Sequence, residues 1–143
     1  MSALYSSLLA AHALAAVLGV GSIASIAIVA SKARRAGRGL TEVSIWLGLL
    51  LRYSALGLAA MLVTGVLLDL TVSGAFSRML WFRGSALLLL ATGALHGRAR
   101  RAVRKGLGEE SGKEFVLRRV ERTAYGMCAL IAVITVLMEV KPF

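Results

Sequence analysis

The chain has 143 residues, 58% of them hydrophobic, with one proline, one cysteine and a net charge of +10 from 17 basic and 7 acidic side chains. Mean hydropathy is +0.79. A lone cysteine excludes an intramolecular disulfide framework, and after four apolar segments too little chain is left for a soluble domain with its own core.

The first apolar segment decides the solvent. No charged side chain occurs from Met1 to Ser31, which exceeds the roughly 20 apolar residues that cross the hydrocarbon as a helix. The segment is apolar on every face, unlike the striped helices of a soluble bundle. A helix is expected over about 4–31, rich in the small residues Ala10, Ala11, Ala15, Ala16, Gly19, Gly21, Ser22, Ala24 and Ser25. Small residues let helices approach closely in lipid. The segment lacks the basic start of a signal peptide, and Lys32, Ala33, Arg34 and Arg35 follow it as a stop-transfer run.

A second helix is expected over 44–70, starting as early as Thr41, which could cap it, and built on the apolar run from Tyr53 to Leu68. Trp46 suits an interfacial belt. Arg52, one or two turns further in, has three readings: outward snorkelling, pairing with an acid such as Glu121, or contact with an anionic ligand. A short connection, Thr71–Ser77, leads to a third helix over 79–98, with the apolar run Gly84–Gly97 and with Trp81 in the opposite belt. Asp69 and Arg83 flank this connection at similar depth and suggest a salt bridge across it.

A basic loop is expected over 99–119, broken by Gly106, Gly108, Ser111 and Gly112, its halves extending the third and fourth helices into water. The fourth helix is expected over 120–140, starting as early as Glu114; it holds the apolar run Thr123–Met138, and Pro142 follows it. Cys128 lies within that run and reads as a small packing residue.

The fold class expected is therefore all-α: one domain, 1–143, forming an antiparallel transmembrane bundle of four helices. Thirteen basic residues fall in the first and third gaps, Lys32, Arg34, Arg35 and Arg38 in one and nine from Arg98 to Arg122 in the other. The positive-inside rule places those gaps in the cytoplasm and both termini outside. Basic residues so close to apolar spans point to anionic lipid headgroups as partners rather than to nucleic acid.

Two histidines lie within the apolar helices, and an ionisable side chain in a membrane marks a candidate site. Imidazole is also a common axial ligand of haem iron. His12 and His96 do not suit one iron: counted from the outer ends, they differ in depth by roughly 13 Å at 1.5 Å rise per residue. Met61 shares the depth of His12, and Met138 lies somewhat shallower; His with Met is a haem ligation type. Ala15, Ala16 and Gly19 follow His12 on its own face, which suits either a flat ligand or tight helix packing with His12 bonded to a neighbour's backbone or hydroxyl. His96 sits beside Arg98, Arg100 and Arg101, as an interfacial side chain or as a neighbour of a propionate or phosphate. No phosphate-binding glycine loop, HExxH motif or Gly-x-Ser-x-Gly elbow occurs, and no catalytic residue is assigned.

Several stretches resemble the superfamily that joins the bacterial membrane protoporphyrinogen oxidase (J type) with the copper-resistance D proteins. AAHALAAVLGVGSIASIAIVA is similar to its first helix, with a histidine near the start and glycines after it. LRYSALGLAAMLVTGVLL, with Thr64 and Gly65, resembles its second. WFRGSALLLLATGALHG resembles a helix with an aromatic start, a basic residue and a histidine near its inner end; Arg83 stands where the oxidases have lysine. The ending MEVKPF is similar to endings in that group. The resemblance implies haem b bound through His12 and a redox role. Combined with the depth count, the expectation is a haem protein of the bacterial cytoplasmic membrane in electron transfer or tetrapyrrole oxidation, with Met61 or Met138 as the opposite ligand and Arg83 as a propionate partner. Two other expectations stand beside it: an accessory subunit of a larger membrane complex, and a small homo-oligomeric channel or carrier using Arg52.

Overall fold

The computed structural model describes residues 3–37, 40–106 and 113–140, and their side chains except those at 40–42 and 113. It is all-helical: α1 (Ala3–Arg35), α2 (Leu40–Thr71), a 3₁₀ turn (Phe76–Arg78), α3 (Leu80–Gly106) and α4 (Lys113–Val140). The helices alternate in direction around a ring. α1 packs on both α2 and α4, α3 packs on α4, and α2 meets α3 along the thinnest seam.

α1, α2 from Val43 and α4 from Glu114 are long and apolar enough to cross a membrane. α3 is outside that group; Arg83, His96 and a basic C-terminal third dilute its apolar centre. The expectation of four comparable spans is thus met by three helices.

The outward-facing surface shows what medium the bundle suits. On α1, Leu14, Val17 and Leu18 are at least 60% exposed, while Ala15 and Gly19 on the inner face are buried. In this half of α1 large apolar side chains point out and small ones point in. Where lipid tails replace water there is little reason to hide a leucine, and helix contact is gained instead by bringing backbones together.

The closest such contact is between Gly19 and Gly57. A Cβ on Gly57 would lie 2.5 Å from Cα and N of Gly19, and one on Gly19 would lie 3.3 Å from the backbone of Gly57 and Leu58. Gly57 is therefore required by contact rather than by dihedral angle, and Gly19 leaves little room for a side chain. The small face after His12 is filled by α2 at this crossing, so it offers no space for a flat ligand there.

Buried side chains concentrate toward the basic end. Ile23, Ile26, Leu47, Leu117, Val120 and Met127 are closed off almost completely and form one cluster with Ala30, Ala33, Val43, Ala99 and Val103. Cys128 packs at its edge. Arg34 on α1 reaches Glu121 on α4, Nε to Oε2 at 2.7 Å, and clamps the cluster from outside.

The polar connection between α3 and α4 is shorter than the expected 99–119 loop. α3 continues to Gly106, and α4 is helical from Lys113. The cations Arg104 and Lys105 occupy the last turn of α3, where the helix dipole favours them. Glu114 sits in the first turn of α4 and pairs with Arg118 one turn on at 3.1 Å. The expected break at Gly108, Ser111 and Gly112 and the Lys-Pro-Phe ending lie outside the described residues, whereas α2 already includes position 41, so the residue expected to cap it lies within the helix.

The α1–α2 turn closes on Gly37, at φ +64°, with Ala36 N–H bonded to Lys32 C=O and Gly37 N–H to Arg34 C=O. This is the left-handed exit that favours glycine. At the other end, Asp69 organises the α2–α3 turn. Its Oδ1 accepts from the N–H groups of Phe76 and Ser77 at 2.9 and 3.0 Å, and its C=O accepts from Gly74 N–H. Ser73 and Gly74 both take positive φ there.

Candidate functional site

His12 lies in the half of the bundle away from the basic end. Its Nδ1 is 2.8 Å from Thr64 Oγ1 on α2. The Thr64 hydroxyl is itself 2.7 Å from Ala60 C=O, an acceptor only, so the hydroxyl proton is used there. Thr64 must then accept from His12, which fixes the proton on Nδ1 and leaves the lone pair on Nε2. That is the tautomer a metal-binding histidine needs, and an outer hydrogen bond of this kind is how such rings are oriented. Gly65 follows Thr64, and a Cβ there would sit 3.6 Å from His12 Cε1.

His12 lines a cavity of about 70 Å³ together with Met61 and Gly65 of α2, Phe82 and Ser85 of α3, and Met138 of α4. The fold therefore brings His12, Met61 and Met138 to one place from three helices. Ser85 is a site residue that sequence reasoning missed. It is 2% exposed, and its Oγ has no hydrogen-bond partner among the described residues. A serine buried in a helix usually bonds back to the preceding turn or to a neighbour, so an orphaned hydroxyl on a cavity wall calls for a partner that binds there.

A second groove of about 370 Å³ adjoins this cavity, sharing Leu62 and Leu89. Ala55, Ala59 and Gly93 give it a shallow floor, and His96 stands at its far end. Cavity and groove together follow the α2–α3 seam, where packing is thinnest.

His96 is held by the fold. Its Nε2 lies 2.8 Å from Leu51 C=O and 2.9 Å from Ser54 Oγ. The carbonyl can only accept, so Nε2 carries a proton and is turned toward α2. His96 is 6% exposed and ties α3 to α2 rather than standing at an open interface. Its partner Ser54 and the His12 partner Thr64 are ten residues apart on α2, about 15 Å along the helix. The two imidazoles occupy separate levels.

Arg83 neighbours the cavity-lining Phe82 and Ser85 in sequence. It does not pair with Asp69: its Nε donates to Ser77 C=O at 2.7 Å, while Asp69 is engaged by the turn's own amides. Asp69 and Arg83 therefore secure the same turn through its backbone. Trp81, expected in an interfacial belt, is 7% exposed and packs with Phe76 and Phe82, ring centroids 5.9 and 5.8 Å away. Trp46 is 64% exposed, as a belt residue would be. Arg52 faces out from α2, and the carboxylate weighed as its partner, Glu121, is taken by Arg34.

Among the described residues no three His, Cys, Asp or Glu side chains converge as a metal-binding group. The ligating chemistry on offer is the imidazole and two thioethers of the cavity. Comparisons of the chain with protein-family models, curated proteins and solved structures find no match.

Proposed function

We propose that this is a small integral membrane protein that binds haem b through His12 and serves electron transfer or tetrapyrrole oxidation. The observation that carries the proposal is the meeting of His12, Met61 and Met138 from three helices on one cavity, with the His12 tautomer set by Thr64 so that Nε2 is available. Imidazole and thioether are both axial ligand types for haem iron. The cavity alone is too small for a porphyrin. With the adjoining groove it reaches the lower part of the roughly 300–1,000 Å³ typical of ligand sites, and Ser85 supplies an unused hydroxyl in its wall. On these grounds the residues fit the group.

In this reading His12 would hold the haem iron, and Met61 or Met138, which line the same cavity, would supply a second ligand. Thr64 positions the imidazole. Arg83, at the end of α3 nearest the cavity, is the cation available to a propionate. His96 has its Nε2 committed to Leu51 and holds the seam at its other level. A haem held there would supply a one-electron centre. The apolar lining of Phe82, Leu89 and Ile134 keeps water from that centre. With the basic end on the cytoplasmic side of a bacterial cytoplasmic membrane, both termini and the His12 cavity lie toward the outer face.

The test is the absorption spectrum of the detergent-purified protein produced with haem supplied. A Soret band is expected, lost in His12→Ala and kept in His96→Ala. No band in the wild-type protein, or an unchanged band in His12→Ala, overturns the assignment.

A further inference from the structure

The basic end carries two kinds of cationic surface, and they differ in what lies beneath the charge. Arg101, Arg104 and Lys105 on α3 line a shallow depression of about 270 Å³ with no apolar side chain among its walls. Between the end of α1 and the start of α2 lies a groove of about 640 Å³, formed by Val29, Lys32, Ala33, Arg35, Val43 and Trp46 with Ala36 at its edge. Here a floor of Val29, Ala33 and Val43 is rimmed by two cations and an indole. Ala33 and Val43 belong to the buried cluster, so the floor is fixed to the core. Lys32 and Arg35 are exposed, and neither forms an ion pair with a described residue, whereas the neighbouring Arg34 is committed to Glu121.

We infer that the α1–α2 groove holds the headgroup of an anionic phospholipid, with Lys32 and Arg35 on the phosphate and Val29, Ala33, Val43 and Trp46 against the glycerol and upper acyl region. Charge complementarity selects the headgroup, since cations beside a membrane draw anionic lipid toward them. Trp46 selects the depth, because an exposed indole next to a long apolar helix rests at the level of the headgroups. A soluble anion would use the two cations and leave the apolar floor and the indole without a partner. The inference is independent of haem binding: the groove and the His12 cavity share no residue.

Native mass spectrometry of the full chain tests it, with phosphatidylglycerol, phosphatidylcholine and glycerol 3-phosphate titrated separately. Phosphatidylglycerol is expected to be retained in preference to phosphatidylcholine, with no retention of glycerol 3-phosphate. Each basic residue near an anionic surface contributes about fivefold, so the double variant Lys32→Gln with Arg35→Gln is expected to lose about thirtyfold in phosphatidylglycerol affinity. Lys32→Arg with Arg35→Lys should keep most of it, which separates loss of charge from loss of fold. The triple variant Arg101→Gln, Arg104→Gln, Lys105→Gln is the comparator: these cations line a depression without an apolar floor, so it should lose less than the double variant despite removing more charge. Equal losses in the two neutralised variants, equal retention of the two phospholipids, or binding of glycerol 3-phosphate alone overturns the proposal.

Discussion

The two halves of the bundle are built differently from nearly the same amino acids. Toward the basic end, Ile23, Ile26, Leu47, Leu117, Val120 and Met127 close a dense cluster, clamped by Arg34 and Glu121. Toward the other end, His12, Met61, Ser85 and Met138 surround a cavity, and the adjoining groove along the α2–α3 seam interleaves Ala55, Ala59 and Gly93 with leucines. In lipid both arrangements expose leucine equally cheaply, so hydrophobicity does not choose between them. The choice is made by side-chain size and by the few polar groups that fix one helix to the next. A polar pair, His12 with Thr64, and an unpaired hydroxyl, Ser85, both lie in the loosely filled half. That half has kept space where packing alone would have closed it.

The comparison is broken most severely at the hinge between the halves. Gly57→Val places methyl groups against the Gly19 backbone, where even a Cβ would come within 2.5 Å. Overpacking of this kind costs about 3 kcal/mol and should lower the thermal midpoint in detergent more than any other single change considered. Gly93→Ala, on the groove floor with nothing within 4 Å of the added carbon, should leave the midpoint unchanged. A large drop for Gly93→Ala would show that the groove closes in the folded protein.

Truncation should separate the halves next. Leu47 is 0% exposed, so Leu47→Ala leaves a void in the dense cluster and should cost about 2 kcal/mol. Met138 is only half-buried and already borders a cavity; Met138→Ala should cost less than about 1 kcal/mol. Paired unfolding curves of the two variants check this, and equal losses would remove the distinction between the halves.

The smallest effect sharpens the comparison through its sign. Without a ligand, Ser85→Ala removes a buried hydroxyl that bonds to nothing and should stabilise the protein by up to about 1 kcal/mol. With haem supplied, wild type should gain more in thermal midpoint than the variant. A variant less stable than wild type in both conditions would mean that the hydroxyl serves the fold alone.

The helical architecture was legible because a charge-free stretch such as Met1–Ser31 has few alternatives in any solvent. The candidate ligands were legible because imidazole and thioether stand out against alanine and leucine, and Met61 was matched to the depth of His12 by counting residues along antiparallel helices. Pairings were harder to read. From sequence Arg52 is a candidate partner of Glu121 and Arg34 only one of the basic residues of the first gap, but the carboxylate is taken by Arg34, which faces α4 while Arg52 faces out. Helices that are apolar all round carry little periodic signal to reveal such facing. Trp81 turned inward for a related reason: Phe76 and Phe82 offer it aromatic partners at the turn, a local contact that belt statistics ignore. His96 gave no sign of its ties to Leu51 and Ser54, because a backbone carbonyl has no sequence signature. Ser85 could have been flagged as a hydroxyl in an apolar run, but only coordinates reveal that it is unpaired.

The clamp between Arg34 and Glu121 spans 87 positions of the chain. During synthesis the guanidinium is made long before its carboxylate, and three helices must be threaded before the two can meet. Until α4 arrives, the side of α1 that it covers is unoccupied and the ring stays open. Insertion of α4 is thus the step that locks the assembly, and a ribosome-stalled fragment ending after α3 should remain a substrate for membrane quality-control proteases that the complete helical set resists.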